Sequence, residues 1–381
     1  MTWLLVGAVL SGLVVSCLAA FWIRRRAPAW GLVDQPGQRK VHATPTPLGG
    51  GIAIWLGVVV PLALGQAVVW LLQSKTGFFA SLPLPEIVEQ NLRGLVQQAP
   101  RLWLLVGAGT VLMILGLVDD RRGLSWQVRL AVEVAVATFI VWRGWHVTLY
   151  IDAPWLTGAL SVLWIVGLIN SFNMLDNMDG LSAGVAAIAA AMLAAVLLLA
   201  PDPETHGPQL FVAGFLLVLV GSLLGFLYHN RPPARLFMGD AGSYFIGFCL
   251  AVATIMATFT GGSLPRHSIL APLCVLAVPL YDTITVVAIR LRQGRSPFKA
   301  DKNHFSHRLT DLGMTKTQAV LTIYLTTATC GLGALLLWQV NVTGAAVIVL
   351  LVGCVLALVG VLETTVRRGR RNGGEKNEPD A

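Results

Sequence analysis

The sequence predicts an all-α protein that crosses a membrane many times, and three observations carry that prediction. Of its 381 residues 55% are apolar and only 12% charged, with a mean hydropathy of +0.72, which leaves too little polar surface for a soluble globular domain. A window of about 20 residues, the length needed to span hydrocarbon as a helix, finds eleven apolar stretches. Lys and Arg alternate in density between successive loops, as the retention of positive charge on the cytoplasmic side requires.

The eleven expected helices cover roughly 3–23, 49–72, 102–118, 127–142, 155–172, 180–200, 209–228, 241–260, 267–290, 318–338 and 343–363. The first resembles a signal peptide in length but lacks a basic leader and runs straight into Arg24-Arg25-Arg26, so it reads as a retained helix. With the N-terminus outside and the C-terminus cytoplasmic, only Lys75, Arg93, Arg101, Arg143 and Arg266 fall on the outer side. That leaves 22 of the 27 basic residues inside. No long polar segment divides the chain, which reads as one membrane domain over 1–363 and a basic, Gly-rich, disordered cytoplasmic tail over 364–381. The outer loop 73–101 is longer than its neighbours and has room for a short interfacial helix.

Polar chemistry is as asymmetric as charge. The helix pair meeting at Asn170-Ser-Phe-Asn173-Met-Leu-Asp176-Asn-Met-Asp179-Gly180 places carboxylates and amides where hydrocarbon should begin, and ionisable groups at membrane depth mark function. On a helical turn the i, i+3 spacing of Asp176 and Asp179 gives both acids one face, with Asn173 a turn behind. The same predicted side collects Asp119-Asp120 at a helix end, His229-Asn230, Phe237-Met-Gly-Asp240, and His304-Phe-Ser-His307-Arg308. Outer-side Asp152, Asp202, Glu204 and His206 are scattered. A transporter would place polar groups near the midplane and on both sides, so the pattern favours an enzyme with its active site at the cytoplasmic face over a cation-coupled transporter.

Acids and amides opposite many cations suit a divalent cation bridged to phosphates, and Mg2+ takes a few carboxylates together with substrate oxygens and water. The i, i+3 histidines His304 and His307 lack a third ligand of the kind zinc needs. Gly239 beside Asp240 allows a close backbone approach, and the helix that follows offers free N–H groups. Asp282, after Pro272 and Pro279 in a helix the prolines are expected to kink, either reaches this site or serves as a buried hydrogen-bonding group.

Five motifs in this order resemble the polyprenyl-phosphate N-acetylhexosamine-1-phosphate transferases, a superfamily with MraY and WecA/TagO branches. They are Arg39-Lys-Val-His42-Ala-Thr-Pro45-Thr-Pro47-Leu-Gly49-Gly50, the Asp119-Asp120 pair, Asn173 to Gly180, Asn230 ten residues before Asp240, and the His304/His307 loop, so the resemblance covers Arg39 to about Leu312. It implies transfer of a sugar 1-phosphate from a UDP-sugar to a membrane polyprenyl phosphate, with release of UMP and the start of a cell-envelope polysaccharide. It implies catalytic acids Asp119 and Asp120, with Asp119 where the family has its suggested base. It implies metal ligands Asp240, Asn173 and Asp176, and substrate contacts His42, Asp179, Asn230, Phe237, His304, His307 and Arg308. The expected cofactor is Mg2+, with Mn2+ as an alternative, and the partners are the UDP-sugar, the lipid, the bacterial plasma membrane and a second copy of the chain, but no nucleic acid. Gly331, Gly333 and Gly344 would allow close packing, between copies or within one subunit. Ser306 stands where the WecA-like loop usually has a middle histidine. His42-Ala-Thr-Pro45-Thr-Pro47-Leu-Gly49-Gly50 departs from the MraY pattern, which with eleven helices rather than ten favours the WecA/TagO branch over an MraY-type pentapeptide transferase.

Overall fold

A computed structural model describes residues 2–35, 45–74, 86–147, 149–202, 207–257, 259, 264–298 and 303–374, the side chains of 86–91, 93 and 364–374 excepted. Apolar stretches without internal breakers become long helices because in hydrocarbon every backbone N–H and C=O must be satisfied within its own segment. The helices are α1 (Thr2–Arg26), α2 (Gly50–Ser74), α3 (Glu86–Arg122), α4 (Trp126–Trp142), α5 (Pro154–Leu175), α6 (Leu181–Leu199) and α7 (Leu210–Asn230). There follow α8 (Gly239–Met256), α9 (Ala271–Val275), α10 (Ala277–Arg292), α11 (Phe305–Asp311), α12 (Lys316–Leu336) and α13 (Val342–Gly374). A two-residue antiparallel pair, β1 (Val33–Asp34) with β2 (Thr46–Pro47), closes the segment between α1 and α2.

The chain is an all-α polytopic membrane protein. Among the described residues nine helices are long and apolar enough to cross a membrane, and a tenth span results if the bent segment Arg266–Arg292 is counted as one. The remaining stretch of the eleven expected is α4, a helix of 17 residues. The expected ninth helix is broken: its two halves meet at 68° around Leu276, between the two prolines that cannot donate to the helical ladder. Within the outer loop expected over 73–101, which had room for a short helix, residues 86–101 form the first turns of α3 and run on through Pro100 into the apolar span. Residues 75–85 lie outside the described ones. At the other end α13 continues helically past Glu363 to Gly374, where a disordered tail was expected to have begun; residues 375–381 lie outside the described ones.

Burial grades the helices from centre to rim. In α8, 83% of the apolar window is buried, against 72% in α6, 67% in α7 and 17% in α1 and α13, so α8 is the axis of the bundle and the chain ends face lipid. Two of the three glycines noted for close packing are used inside the subunit: Gly331 lies against Met192 of α6 and Gly333 against Ile348 of α13, while Gly344 meets Val340 at the preceding turn.

Candidate active site

The site is assembled around the first turn of α8. The strand β2 accepts the Phe237 N–H on Pro47 O at 2.9 Å, and the first N–H groups of α2, those of Gly50 and Gly51, donate to Phe237 O and Met238 O at 2.9 and 3.0 Å. Gly239 adopts a left-handed φ of 72°, which glycine takes without steric cost, and a side chain there would strike the Asp120 carboxylate. From α3, Asp120 caps α8: its two oxygens accept the N–H groups of Asp240 at 2.8 Å and Ala241 at 3.2 Å. This is possible because Gly116, one turn back on α3, brings the two backbones together; a Cβ at Gly116 would lie 2.4 Å from the Ala241 nitrogen. Asp120, expected as a catalytic acid, is thus committed to holding the helix start on which Asp240 sits.

Asp240 projects from that turn with a side chain 30% exposed. Asn173, from the last turns of α5, donates to its Oδ1 at 2.5 Å and to Ser243 Oγ at 3.1 Å. Arg129 of α4 stands 3.9 Å from its Oδ2. The same guanidinium is 2.9 Å from Asp119, whose carboxylate also accepts the Leu124 N–H at 2.6 Å and the Tyr244 hydroxyl at 3.1 Å. Asp119 is 4% exposed and is held by three donors. Asp176, just beyond α5, has its carboxyl pushed up to about 7, by burial above all and then by the charges of Asp120 and Asp179, against the pull of the Gly239 N–H.

The segment Asn170–Gly180 is the hub from which three polar clusters radiate. Asn173 and Asp176 face the α8 turn. Beyond them, Asp179 accepts the Ala234 N–H at 2.9 Å, and the Gly180 N–H donates to Asn230 Oδ1 at 2.9 Å. Asn230 in turn donates to Leu236 O at 2.9 Å, and Tyr324 of α12 donates to Gly180 O. Asn230, expected as a substrate contact, is 3% exposed and has its amide on the backbone of Gly180 and Leu236, so it braces the loop 231–238; Asp179 shares that bracing with one oxygen. Phe237 lies half-buried on the braced loop.

The third cluster is the histidine loop. Ser306, fully buried, donates to Asn177 Oδ1 at 2.5 Å, tying α11 to the hub. Asp282 accepts the Phe305 N–H at 2.6 Å and lies 3.0 Å from His304 Nδ1, so it acts as the buried cap of α11 and the orienting partner of His304. Arg308, expected to touch phosphate, is turned inward and buried: it pairs with Glu363 at 2.9 Å and donates to Asn303 O at 2.9 Å and Thr285 Oγ1 at 3.0 Å. His307 is the half-exposed member of the loop, its ring centroid 6.4 Å from that of His304. His42 lies outside the described residues. Arg129, Tyr244, Ser243, Asn177, Ser306 and Glu363 were not singled out by role in the sequence; the one signal for Arg129 was a cation opening the helix after the acid pair.

The donors on the α8 turn fit a hard cation. They are carboxylates: Asp120 lies near both Asp176 and Asp240, and the Arg129 guanidinium stands beside Asp240. Among the described residues no three His, Cys, Asp or Glu side chains converge to enclose an ion unaided. Mg2+ in general takes one or two carboxylates and completes its shell with substrate phosphates and water, which such a turn would allow.

A helical membrane bundle that gathers acids, amides and a guanidinium at one end of its central helix fits an integral-membrane enzyme acting on anionic substrates, and the relatives specify its class. The family described as glycosyl transferase family 4 matches residues 102–258. The chain is 33% identical over 312 residues to the probable undecaprenyl-phosphate N-acetylglucosaminyl 1-phosphate transferase of Bacillus subtilis, covering 80% of this chain and 76% of that one. It is 33% identical over 386 residues to the decaprenyl-phosphate N-acetylglucosaminephosphotransferase of Mycobacterium tuberculosis, 94% and 89% of the two chains. The undecaprenyl-phosphate alpha-N-acetylglucosaminyl 1-phosphate transferase of Escherichia coli is 28% identical over 337 residues, 84% and 80%. The chain belongs to glycosyl transferase family 4, on its WecA/TagO-like side, and the transporter reading falls away.

Proposed function

We propose that the protein transfers N-acetylglucosamine 1-phosphate from its UDP-sugar to a polyprenyl phosphate in the bacterial plasma membrane, releasing UMP and starting a cell-envelope polysaccharide. The observation that carries this reading is the α8 turn, where Asp120 fixes the backbone, Asp240 and Asp176 offer carboxylates, and Arg129 offers the positive charge. The named relatives favour N-acetylglucosamine over the muramoyl-pentapeptide of the MraY branch. Eleven spans with the C-terminus and the site on the cytoplasmic side accord with the distribution of basic residues.

In the reaction a lipid-phosphate oxygen forms a bond to the β-phosphorus of the UDP-sugar. The bond from that phosphorus to the bridging oxygen breaks, and its electrons leave with UMP. Two anions must be brought together and aligned, which makes the reaction one of positioning and charge neutralisation. Asp240 and Asp176, with Asn173 orienting the first, would hold Mg2+, which when bound offsets the charge of the pyrophosphate. Arg129 supplies a fixed positive charge beside Asp240, and Asp119 with Tyr244 keeps it there. A phosphate monoester is largely ionised at neutral pH, so the lipid attacks without deprotonation by Asp119. His304 and His307 stand on the loop assigned to the nucleotide-sugar. Purified protein with polyprenyl phosphate, Mg2+ and one UDP-sugar at a time should release UMP fastest with UDP-N-acetylglucosamine; release only with another UDP-sugar would overturn the substrate assignment.

A further inference from the structure

The last helix, α13, lies far from the α8 turn in sequence and carries none of the motifs, yet its Glu363 is buried and reaches the histidine loop. Glu363 Oε2 lies 2.9 Å from Arg308 Nε and accepts the Tyr281 hydroxyl at 3.2 Å. Both partners of the ion pair have side chains 6% exposed. The guanidinium sits 5.9 Å over the Tyr281 ring, and its terminal nitrogens donate to Asn303 O and Thr285 Oγ1. Tyr281 also meets Phe305 edge to face at 5.8 Å. Around α11, then, α10 supplies Asp282, Thr285 and Tyr281, and α13 supplies the one carboxylate that matches Arg308.

A short helix of seven residues has little intrinsic stability, so its orientation is set by what grips it. Asp282 grips its N-terminus and Ser306 ties it to Asn177, while the Glu363–Arg308 pair grips its other face. Buried charge left unmatched in such a place is costly, which makes the pair an all-or-none clamp rather than a graded contact. His307 is carried one residue before Arg308, on the same turn.

We infer that Glu363 is a positioning residue for the transfer reaction: through Arg308 it fixes α11, and with it His304 and His307, so that the peripheral helix α13 helps set the affinity for the nucleotide-sugar. The inference rests on the function proposed above for the loop, but the grip itself is testable without turnover. Hydrogen exchange of the full-length protein in detergent should show faster exchange across 303–311 in Glu363→Gln, with α6 unchanged; unaltered exchange there would overturn the clamp whatever the enzyme does. In the kinetic arm, Glu363→Gln should raise KM for UDP-N-acetylglucosamine about tenfold while leaving KM for polyprenyl phosphate unchanged, and Glu363→Asp should recover part of the loss. Glu363→Gln combined with Arg308→Gln should be no worse than the poorer single variant. Additive losses, or equal rises in both KM values, would contradict the positioning role. Tyr281→Phe, which removes one hydroxyl and leaves both charges, provides the milder version should Glu363→Gln fail to fold; it should shift exchange in 303–311 in the same direction, and no shift would count against the clamp. Wild-type protein that releases no UMP would overturn the transferase reading while leaving the exchange result to decide the clamp.

Discussion

The α8 turn and the histidine loop are both rich in charge, but they handle it in opposite ways. At α11 the buried polar groups are matched: Arg308 pairs with Glu363, and His304 Nδ1 lies 3.0 Å from Asp282. At the α8 turn Arg129 reaches Asp119 and Asp240, while Asp120 and Asp176 have no ion pair with a cation among the described residues, and both Arg129 and Asp240 are 30% exposed. A closed set of pairs holds a shape, whereas an open excess of carboxylates is matched only when a cation and its anionic ligands arrive. On the function proposed above, the contrast puts the chemistry at the α8 turn and the support of one substrate on the loop.

The sharpest way to break that contrast is at Asp240. Asp240→Asn should lower kcat/KM by at least about a hundredfold while the protein still folds, and the thermal stabilisation given by millimolar Mg2+ should disappear. An unchanged Mg2+ response would move the cation elsewhere. Arg129→Gln comes next, with an expected loss of about 10–100-fold in kcat/KM. It should also cost stability, because it leaves Asp119 with only the Leu124 N–H and the Tyr244 hydroxyl. A third test leaves the polar groups in place: Gly116→Ala forces α3 away from Asp240 and Ala241, and overpacking of this kind costs about 1–3 kcal/mol, visible as a lower melting temperature with activity reduced alongside. Smallest is Asp202→Asn at the opposite end of the bundle, where stability should change by less than about 0.5 kcal/mol and activity not at all.

Much of the bundle was legible because hydropathy is a local signal. Each of the eleven apolar stretches is helical in the described residues, and the prolines in 267–290 foretold a break, though not its 68° angle. The N-terminal extension of α3 escaped because its residues are polar, and helix formation there does not depend on an apolar stripe. The site was legible as polar residues at apolar helix ends, and the structure joins Asn173 to Asp240 and sets Asp176 at the Gly239 N–H. What the sequence hid is division of labour. Asp120 reads as a catalytic acid until Gly116 brings α3 against α8, when it becomes a cap. Arg308 reads as a phosphate contact until α13 supplies Glu363. Arg129 reads as one more inner-side cation, because its value lies in facing Asp119 and Asp240 across helices that only the fold brings together.

The central claim is that the open carboxylates of the α8 turn, and not the paired charges of the loop, carry a metal-assisted phosphosugar transfer. The most direct measurement is UMP release by purified protein supplied with UDP-N-acetylglucosamine and polyprenyl phosphate, titrated with Mg2+, for the wild type and for Asp240→Asn. The account predicts saturable, Mg2+-dependent release in the wild type and near-complete loss in the variant; equal release from both, or release indifferent to Mg2+, would contradict it.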